Sequence, residues 1–223
     1  MNVLIACEES QEVCKAFRAK GHRAFSCDLQ ECSGGHPEWH IQGDVLPLLN
    51  GDCTFTTADT HTHTQNGRWD LIIAHPPCTY LSNAGACRLY PKKGQLDKDR
   101  YIKGLKGKEF FMTFWWYGYF GCGPIVIENP VPARVFELPR QTNCIQPYEF
   151  GHPWSKKTYL WEFGVPHLMA TEIVEDYKPY VSCVTSRNKG NRDKAGFTRK
   201  GGAQRSRSKT FPGIAKAMAD QWG

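Results

Sequence analysis

The sequence predicts an α/β domain with a Rossmann-like, mostly parallel sheet, and two observations support this fold class. The first is a strand–helix–strand pattern at the N-terminus, in which apolar runs at residues 2–7 and 23–27 flank a helical pattern. The second is that short apolar runs at residues 69–74 and 125–127 continue the alternation of strands and helices. Strands that alternate with helices are typical of a parallel sheet with right-handed crossovers.

The two longer helices have recognisable boundaries. The first is predicted to begin at Ser10, a good N-cap residue, and to run to about Lys20, with Gly21 as its stop. The second is predicted over residues 97–119, where apolar and aromatic residues recur at helical spacing. We expect the aromatic stripe of this second helix to pack in the core.

The second half of the chain favours extended structure. Residues 144–150 and 158–163 are predicted to pair as an antiparallel hairpin at the sheet edge, joined through GHPWSKK. Residues 185–209 are basic and rich in glycine and are predicted to form a flexible loop, which precedes a short helix over 212–222. Because we find no repeat and no clear boundary, residues 1–223 are predicted to form a single domain.

The composition is typical of a folded protein of the cytoplasm. Hydrophobic residues make up 40% of the 223-residue chain, and the mean hydropathy is -0.51. No stretch approaches the roughly 20 apolar residues that span a bilayer, and the N-terminus lacks the basic segment and cleavage site of a signal peptide. The ten cysteines follow no disulfide-framework spacing. We therefore expect reduced thiols, a cytoplasmic location and no membrane partner.

The net charge of +6 is unevenly distributed along the chain. Within residues 185–209, nine basic side chains accompany a single acidic one, Asp193. The basic residues are Arg187, Lys189, Arg192, Lys194, Arg199, Lys200, Arg205, Arg207 and Lys209. Such a stretch favours a polyanionic partner, and the alternative is that it only makes the chain soluble.

Polar or reactive residues follow each predicted strand: CEES at 7–10, Asp28, Asp44, HPPC at 75–78 and ENP at 128–130. Because open parallel sheets bind ligands beyond the carboxyl ends of their strands, we expect all five groups to surround one crevice. Carboxylates such as those of Asp28 and Asp44 accept hydrogen bonds from the ribose hydroxyls and the exocyclic amine of a nucleoside cofactor. The alternative is that each aspartate caps a helix or turn.

Cys78 and Glu128 are the candidates for the chemistry. Two prolines before Cys78 stiffen the backbone and hold the thiol outside regular structure, as a nucleophile requires; the alternative is a small buried hydrophobe. Glu128 ends the next strong strand, and we expect burial to raise its pKa so that it donates a proton. A pyrimidine is activated at carbon 5 by such a pair, because a thiolate adds to carbon 6 while N3 takes a proton.

Two of these motifs carry a resemblance to a known family. HPPC at 75–78 and IENP at 127–130 resemble motifs IV and VI of the DNA cytosine-5 methyltransferases, in the same order. The chain is more closely similar to the short proteins of phages and mobile elements that are labelled DNA cytosine methyltransferase. That likeness covers nearly the whole chain, through ACEESQ, CSGGHPEWHI, DLIIAHPPCTYLSNAG, ENPV, QPYEFGHPWSKKTYLW and SKTFPGIAKAMADQW.

The resemblance implies a methyltransferase fold that uses S-adenosylmethionine to methylate carbon 5 of cytosine in DNA through a covalent cysteine adduct. It implies that Cys78 is the nucleophile, Glu128 the proton donor to N3, Asp28 the ribose ligand and Asp44 the adenine ligand. The other residues that it places at the cofactor are Ala6, Cys7, Glu8, Ser10 and Pro76.

The chain departs from the larger enzymes of this family in three ways. ACEESQ replaces the glycine-rich first motif, the QxRxR motif is not recognisable, and the target-recognition region is minimal. Lys156 and Lys157 are candidates to replace the missing arginines at phosphate or at a flipped base; the alternative is that both are ordinary exposed lysines. The basic residues expected to contact nucleic acid in the loop are Arg199, Lys200, Arg205 and Arg207.

Alternative functions remain open at this point. The same pocket would suit a pyrimidine-modifying enzyme that acts on RNA, single-stranded DNA or a free nucleotide, and the fold would also suit a non-catalytic nucleic-acid-binding protein. No metal is predicted. The alternative is a structural zinc bound by Cys27, Cys32, His36 and His40, which are the soft ligands that zinc prefers. Their spacing fits no standard zinc module.

Overall fold

The computed structural model describes residues 1–180 and 208–223. In chain order, its strands and α-helices are β1 (Asn2–Ala6), α1 (Glu12–Ala19), β2 (Arg23–Asp28), β3 (His40–Gln42), β4 (Cys53–Thr56), β5 (Thr62–Gln65), β6 (Leu71–Ala74), α2 (Ala86–Leu89), α3 (Lys98–Tyr119), β7 (Ile125–Pro130), β8 (Asn143–Ile145), β9 (Trp154–Ser155), β10 (Thr158–Phe163), β11 (Lys178–Pro179) and α4 (Pro212–Trp222).

Seven strands form one central sheet in the order β3-β2-β1-β6-β7-β10-β8. The first five in this order are parallel neighbours, whereas β10 pairs antiparallel with both β7 and β8. The predicted α/β class and mostly parallel sheet are therefore confirmed, and the arrangement is compatible with a Rossmann-like fold. β4 and β5 form a separate antiparallel hairpin, and β9 and β11 form a short parallel pair.

The predicted edge hairpin is confirmed in its pairing but not in its length. β8 and β10 are antiparallel neighbours, with Cys144 opposite Tyr159, and β8 is the last strand of the sheet. Extended structure ends at Ile145, because Pro147–Glu149 forms a 3-10 turn. Proline lacks the backbone N–H that a strand interior donates, so the prediction of a strand through residue 150 is wrong.

Helix α1 begins differently from the prediction. Ser10 is not its N-cap: the helix starts at Glu12, and the N-cap residue Gln11 has a left-handed backbone and makes no side-chain cap. The buried Glu8 carboxylate caps the helix instead, accepting hydrogen bonds from the backbone N–H groups of Val13 and Cys14 at 2.7 and 3.2 Å. The helix ends as predicted, since Gly21 has a φ of 83° just beyond it.

The core has two layers, one on each face of the sheet. On one face, Val3 and Ile5 of β1 pack with Phe17 of α1 and with Met218 of α4. On the other face, Leu4 packs in a cluster that includes Phe111, Phe114 and Trp161. Every one of these side chains is almost fully buried, and each such burial contributes about 1.5–3 kcal/mol. β1 is thus covered on both faces, as parallel central strands are.

Helix α3 matches its prediction closely. Asp97 caps its N-terminus, accepting a hydrogen bond from the backbone N–H of Arg100 at 2.9 Å. The aromatic stripe is only partly in the core: Phe114 is fully buried, whereas Trp116 and Tyr119, near the C-terminal end, are exposed. In the described part of the chain, no helix combines the length and apolar composition needed to cross a bilayer.

Candidate active site at the carboxyl edge of the sheet

The order of strands in the sheet marks where a ligand would bind. From β1, the chain adds β2 and β3 on one side and then β6 and β7 on the other, so the order reverses between β1 and β6. Doubly wound sheets bind ligands beyond the carboxyl ends of the strands at such a switch point. The segments that leave β1 and β6 are residues 7–10 and 75–78, which carry two of the predicted motifs.

Two hydrogen bonds join the end of β7 to the segment after β6. His75 Nδ1 and Glu128 Oε2 are 2.8 Å apart, and Asn129 Nδ2 donates to the carbonyl oxygen of Pro76 at 2.8 Å. Ala74 and Ile127 are partners in the parallel register, so both contacts form directly beyond the paired strands. The segment that carries Cys78 is therefore held against the strand that carries Glu128.

The backbone of Cys78 is fixed from the other direction as well. Its carbonyl oxygen accepts hydrogen bonds from the backbone N–H groups of Leu81 and Ser82, at 3.1 and 2.9 Å. Leu81 in turn accepts a hydrogen bond from Ala133 N, in the segment after β7. Cys78 itself is partly exposed, which suits a nucleophile better than the fully buried small hydrophobe that was the alternative.

The His75–Glu128 contact sets the charge of both side chains. Only 11% of the His75 side chain and 14% of the Glu128 side chain are exposed. Burial favours the neutral forms, but the hydrogen bond and the opposite charge of the partner outweigh it, so the pKa of His75 is raised and the pKa of Glu128 is lowered. The prediction that burial raises the pKa of Glu128 is therefore wrong, because His75 supplies a positive partner.

The segment after β1 is shaped by the capping role of Glu8. The N-terminus of α1, where dinucleotide-binding sheets hold a pyrophosphate, already has the Glu8 carboxylate on two of its N–H groups. Burial raises the pKa of Glu8, and the positive charge of His75 opposes that rise. Ala6 and Ser10, also predicted at the cofactor, are buried beside it.

Asp28 and Asp44 lie close to the same edge, Asp28 as the last residue of β2 and Asp44 just after the end of β3. Burial raises the pKa of the Cys7 thiol, and the negative charges of both aspartates raise it further, which indicates that the three side chains share one region. Each aspartate also closes a local turn through its Oδ1 atom: Asp28 accepts from Gln30 N at 2.9 Å, and Asp44 accepts from Leu46 N at 3.0 Å. The turn-capping alternative is thus observed for both, alongside their shared location.

The two candidate lysines differ in their surroundings. Lys156 is partly buried, its Nζ lies 5.7 Å from the ring centre of Phe211, and its charge lowers the pKa of Glu128 and of His75. Lys157 is exposed. The other basic residues predicted to contact nucleic acid, Arg199, Lys200, Arg205 and Arg207, lie outside the described residues.

The zinc alternative does not fit the geometry around His40. Both of its ring nitrogens already have partners: Nδ1 lies 2.9 Å from Ser26 Oγ and Nε2 lies 2.9 Å from the carbonyl oxygen of Gln30. His36 Nδ1 contacts Glu38, and Cys27 Sγ donates to the carbonyl oxygen of Gly43. Within residues 1–180 and 208–223, no group of three or more His, Cys, Asp or Glu side chains is arranged to hold a metal ion.

Sequence reasoning missed the roles of His75 and Asn129. Both belong to recognised motifs, HPPC and ENP, in which the sequence predicts roles for Cys78, Glu128 and Pro76 but none for His75 or Asn129. The signal that would have found them is their position, since each is adjacent to a residue at the carboxyl end of a parallel strand. A cavity of about 560 Å³ beside α1 is lined by none of the predicted site residues.

No model of a known protein family matches the chain, and no curated protein matches it.

Proposed function

We propose that this protein is a DNA cytosine-5 methyltransferase that uses S-adenosylmethionine and forms a covalent intermediate through Cys78. The observation that carries the proposal is the link between β6 and β7. Cys78, which is partly exposed, lies in the segment after β6, and Glu128 lies in the adjacent parallel strand β7. The His75–Glu128 and Asn129–Pro76 contacts hold that segment and β7 together. The likeness of HPPC and IENP to motifs of that family supports the same reaction.

The proposed chemistry needs one nucleophile and one proton donor on the same pyrimidine. The Cys78 thiolate adds to carbon 6, the displaced electron pair is taken up as N3 receives a proton through Glu128, and carbon 5 becomes nucleophilic. After methylation, carbon 5 loses its proton to solvent, the sulfur leaves carbon 6, and N3 returns its proton. Cytosine in a duplex is paired and stacked, so the target base would be flipped out of the helix.

The donor set at the edge fits a nucleoside cofactor without a phosphate group. Asp28 and Asp44 offer carboxylate oxygens to hydroxyl and amine donors, and they lie in the same region as Cys7. The Glu8 side chain already occupies two backbone N–H groups at the α1 N-terminus, which leaves them unavailable to a pyrophosphate and disfavours a dinucleotide. S-adenosylmethionine carries no phosphate and supplies an electrophilic methyl group.

DNA is the proposed partner, and charge supports it. The chain has a net charge of +6, and Lys156 lies near the His75–Glu128 pair, where a phosphate or a flipped base would approach. We assign Lys156, and not the exposed Lys157, to that contact.

Transfer of tritiated methyl groups, followed by nucleoside analysis, tests the proposal directly. Duplex DNA, single-stranded DNA, RNA and dCMP are incubated separately with the protein and labelled S-adenosylmethionine. We expect label in 5-methylcytosine from DNA. Label in RNA or dCMP alone would show that the substrate is not DNA. Label on an exocyclic nitrogen would show that the enzyme does not methylate carbon 5. DNA binding that needs no cofactor and leaves no label would favour a non-catalytic binding protein.

A matched pair of cysteine variants completes this experiment. Cys78→Ala removes the proposed nucleophile and is expected to lower methyl transfer at least about tenfold while leaving cofactor binding intact. Cys144→Ala changes an exposed thiol on the edge strand β8 and is expected to keep full activity. Equal activity of the two variants would contradict the covalent mechanism.

A further inference from the structure

One buried side chain at this edge has no role in the reaction as proposed so far. His75 lies between β6 and the Pro-Pro-Cys segment, and its Nδ1 is 2.8 Å from Glu128 Oε2. Its other ring nitrogen, Nε2, is buried and makes no hydrogen bond within the described part of the chain. A buried imidazole whose Nδ1 contacts the proposed proton donor is placed to control the proton of that donor.

The charges that face the pair come from three elements. Glu128 belongs to β7, Glu8 caps α1, and Lys156 precedes β10. The two glutamates favour a positively charged His75, whereas Lys156 opposes it. Burial lowers the pKa of His75, but the contact with Glu128 outweighs burial, so the pKa is raised. The pKa of Glu128 is lowered by the same contact, and these two opposite directions favour a proton on His75 over a proton on Glu128.

This arrangement conflicts with a simple acid role for Glu128. A carboxylate that is ionised in the free site has no proton of its own to give to N3, although the proposed reaction needs one there. The conflict disappears if His75 and Glu128 share one proton, because two coupled groups titrate as a pair. Glu128 can then deliver a proton that His75 holds in the free site.

We propose that His75 is a positioning residue that stores the proton which Glu128 delivers to N3 of the target pyrimidine. This inference rests on the proposed function and deepens it. As Cys78 Sγ bonds to carbon 6, the proton leaves His75 Nδ1 for Glu128, and the Glu128 carboxyl gives a proton to N3. The pair then consists of neutral His75 and the Glu128 carboxylate. When the bond between sulfur and carbon 6 breaks, N3 returns its proton by the same route.

The proposal predicts a change in the pH dependence of methyl transfer. The pair must hold one proton for N3 to receive it, so activity falls on the alkaline side as His75 loses that proton. His75→Asn keeps an N–H donor near the Nδ1 position but holds no titratable proton, which leaves Glu128 as the only acid. A solvated carboxyl titrates about 2 pH units below an imidazole, and burial of Glu128 narrows that gap, so we expect the alkaline limb to move to lower pH by less than that.

The experiment has an arm that does not depend on activity. In protein labelled with ¹⁵N-histidine, the ring nitrogen signals of His75 are titrated by NMR in the wild type and in Glu128→Gln. We expect the His75 pKa to fall in Glu128→Gln, because burial remains while the carboxylate is lost. His167 is the control: it also contacts a buried glutamate, Glu162, which pairs with Val126 and not with Glu128 in the sheet. Glu128→Gln should leave the ring nitrogen signals of His167 unchanged.

The outcomes separate this inference from the proposed function. Support requires a shifted alkaline limb in His75→Asn, an unshifted limb in His167→Asn and a lowered His75 pKa in Glu128→Gln. A His75→Asn variant with wild-type activity and an unchanged limb would show that His75 only donates a hydrogen bond, and would overturn the inference while the proposed function stands. Identical His75 titrations in wild type and Glu128→Gln would overturn it even if His75→Asn failed to fold. Absence of methyl transfer by the wild type would overturn both.

Discussion

Asn129 Nδ2 donates a hydrogen bond to the carbonyl oxygen of Pro76, and this 2.8 Å contact anchors the segment that carries Cys78 to the strand that carries Glu128. Asn129 is almost fully buried, so water does not compete with Pro76 for its amide group. The side chain thus links the two residues on which the proposed chemistry depends, although it takes no part in the reaction itself.

Asn129→Ala is expected to loosen this anchor. The change leaves the Pro76 carbonyl without its partner, and the free energy of unfolding should fall by about 1–3 kcal/mol, measured by denaturant titration. Methyl transfer should fall more than stability alone explains, because the Cys78 segment loses its fixed position. Asn66→Ala, at an exposed position beside β5, is the control and should change neither quantity. Unchanged activity in a destabilised Asn129→Ala protein would restrict the contact to folding.

Asp28→Ala and Asp44→Ala are expected to weaken binding of S-adenosylmethionine. If each carboxylate accepts a hydrogen bond from the nucleoside, each loss should cost about 1–3 kcal/mol of binding, measured by calorimetry. Because both side chains also close turns, the unfolding free energy of each variant must be measured in parallel. Asp176→Ala, at an exposed position, should bind like the wild type. Wild-type affinity in both Asp28→Ala and Asp44→Ala would remove the cofactor site from this edge.

The fold was predictable where periodicity and a capping residue agree. Helix α3 lies within one residue of its prediction: the periodicity predicts a start at residue 97, and Asp97 is the N-cap just before the first helical residue, Lys98. The start of α1 was mispredicted because Glu8 reaches the helix N–H groups from outside the helix, so the better local cap, Ser10, is not used. Propensity describes neighbours in sequence, whereas this cap depends on the left-handed backbone at Cys7 and Gln11.

The candidate site was predictable at the level of strands and not of side-chain contacts. The proximity of the segments that carry Cys78 and Glu128 follows from their place at the carboxyl ends of the adjacent parallel strands β6 and β7. The contact between His75 and Glu128 joins residues 53 positions apart, and it depends on strand register and side-chain direction, which spacing alone does not reveal. For the same reason the direction of the Glu128 pKa was mispredicted, since burial was considered without its partner.

Lys156→Ala and Lys157→Ala form a matched pair that tests the proposed contact with nucleic acid. Lys156 is partly buried near the His75–Glu128 pair, whereas Lys157 is exposed. We expect Lys156→Ala to lower both DNA affinity and methyl transfer, and to reduce the slope of log affinity against log salt by up to about 0.9 for one lost phosphate contact. Lys157→Ala should have a much smaller effect. Equal effects of the two changes would indicate only general attraction to the polyanion.

Covalent trapping is the sharpest test of the role of Cys78. The sulfur leaves carbon 6 only after carbon 5 loses its proton, and a fluorine at carbon 5 cannot leave in that way. DNA that contains 5-fluorocytosine should therefore remain bound to the protein through denaturing electrophoresis when S-adenosylmethionine is present. Cys78→Ala should form no adduct, whereas Cys144→Ala should form as much as the wild type. Glu128→Gln should form the adduct much more slowly, because an amide does not deliver a proton to N3 as an acid does. A nitrogen methyltransferase or a non-catalytic binding protein would form no adduct with this DNA. If the protein methylates ordinary cytosine at carbon 5 but forms no adduct on confirmed target DNA, Cys78 is structural and not the nucleophile.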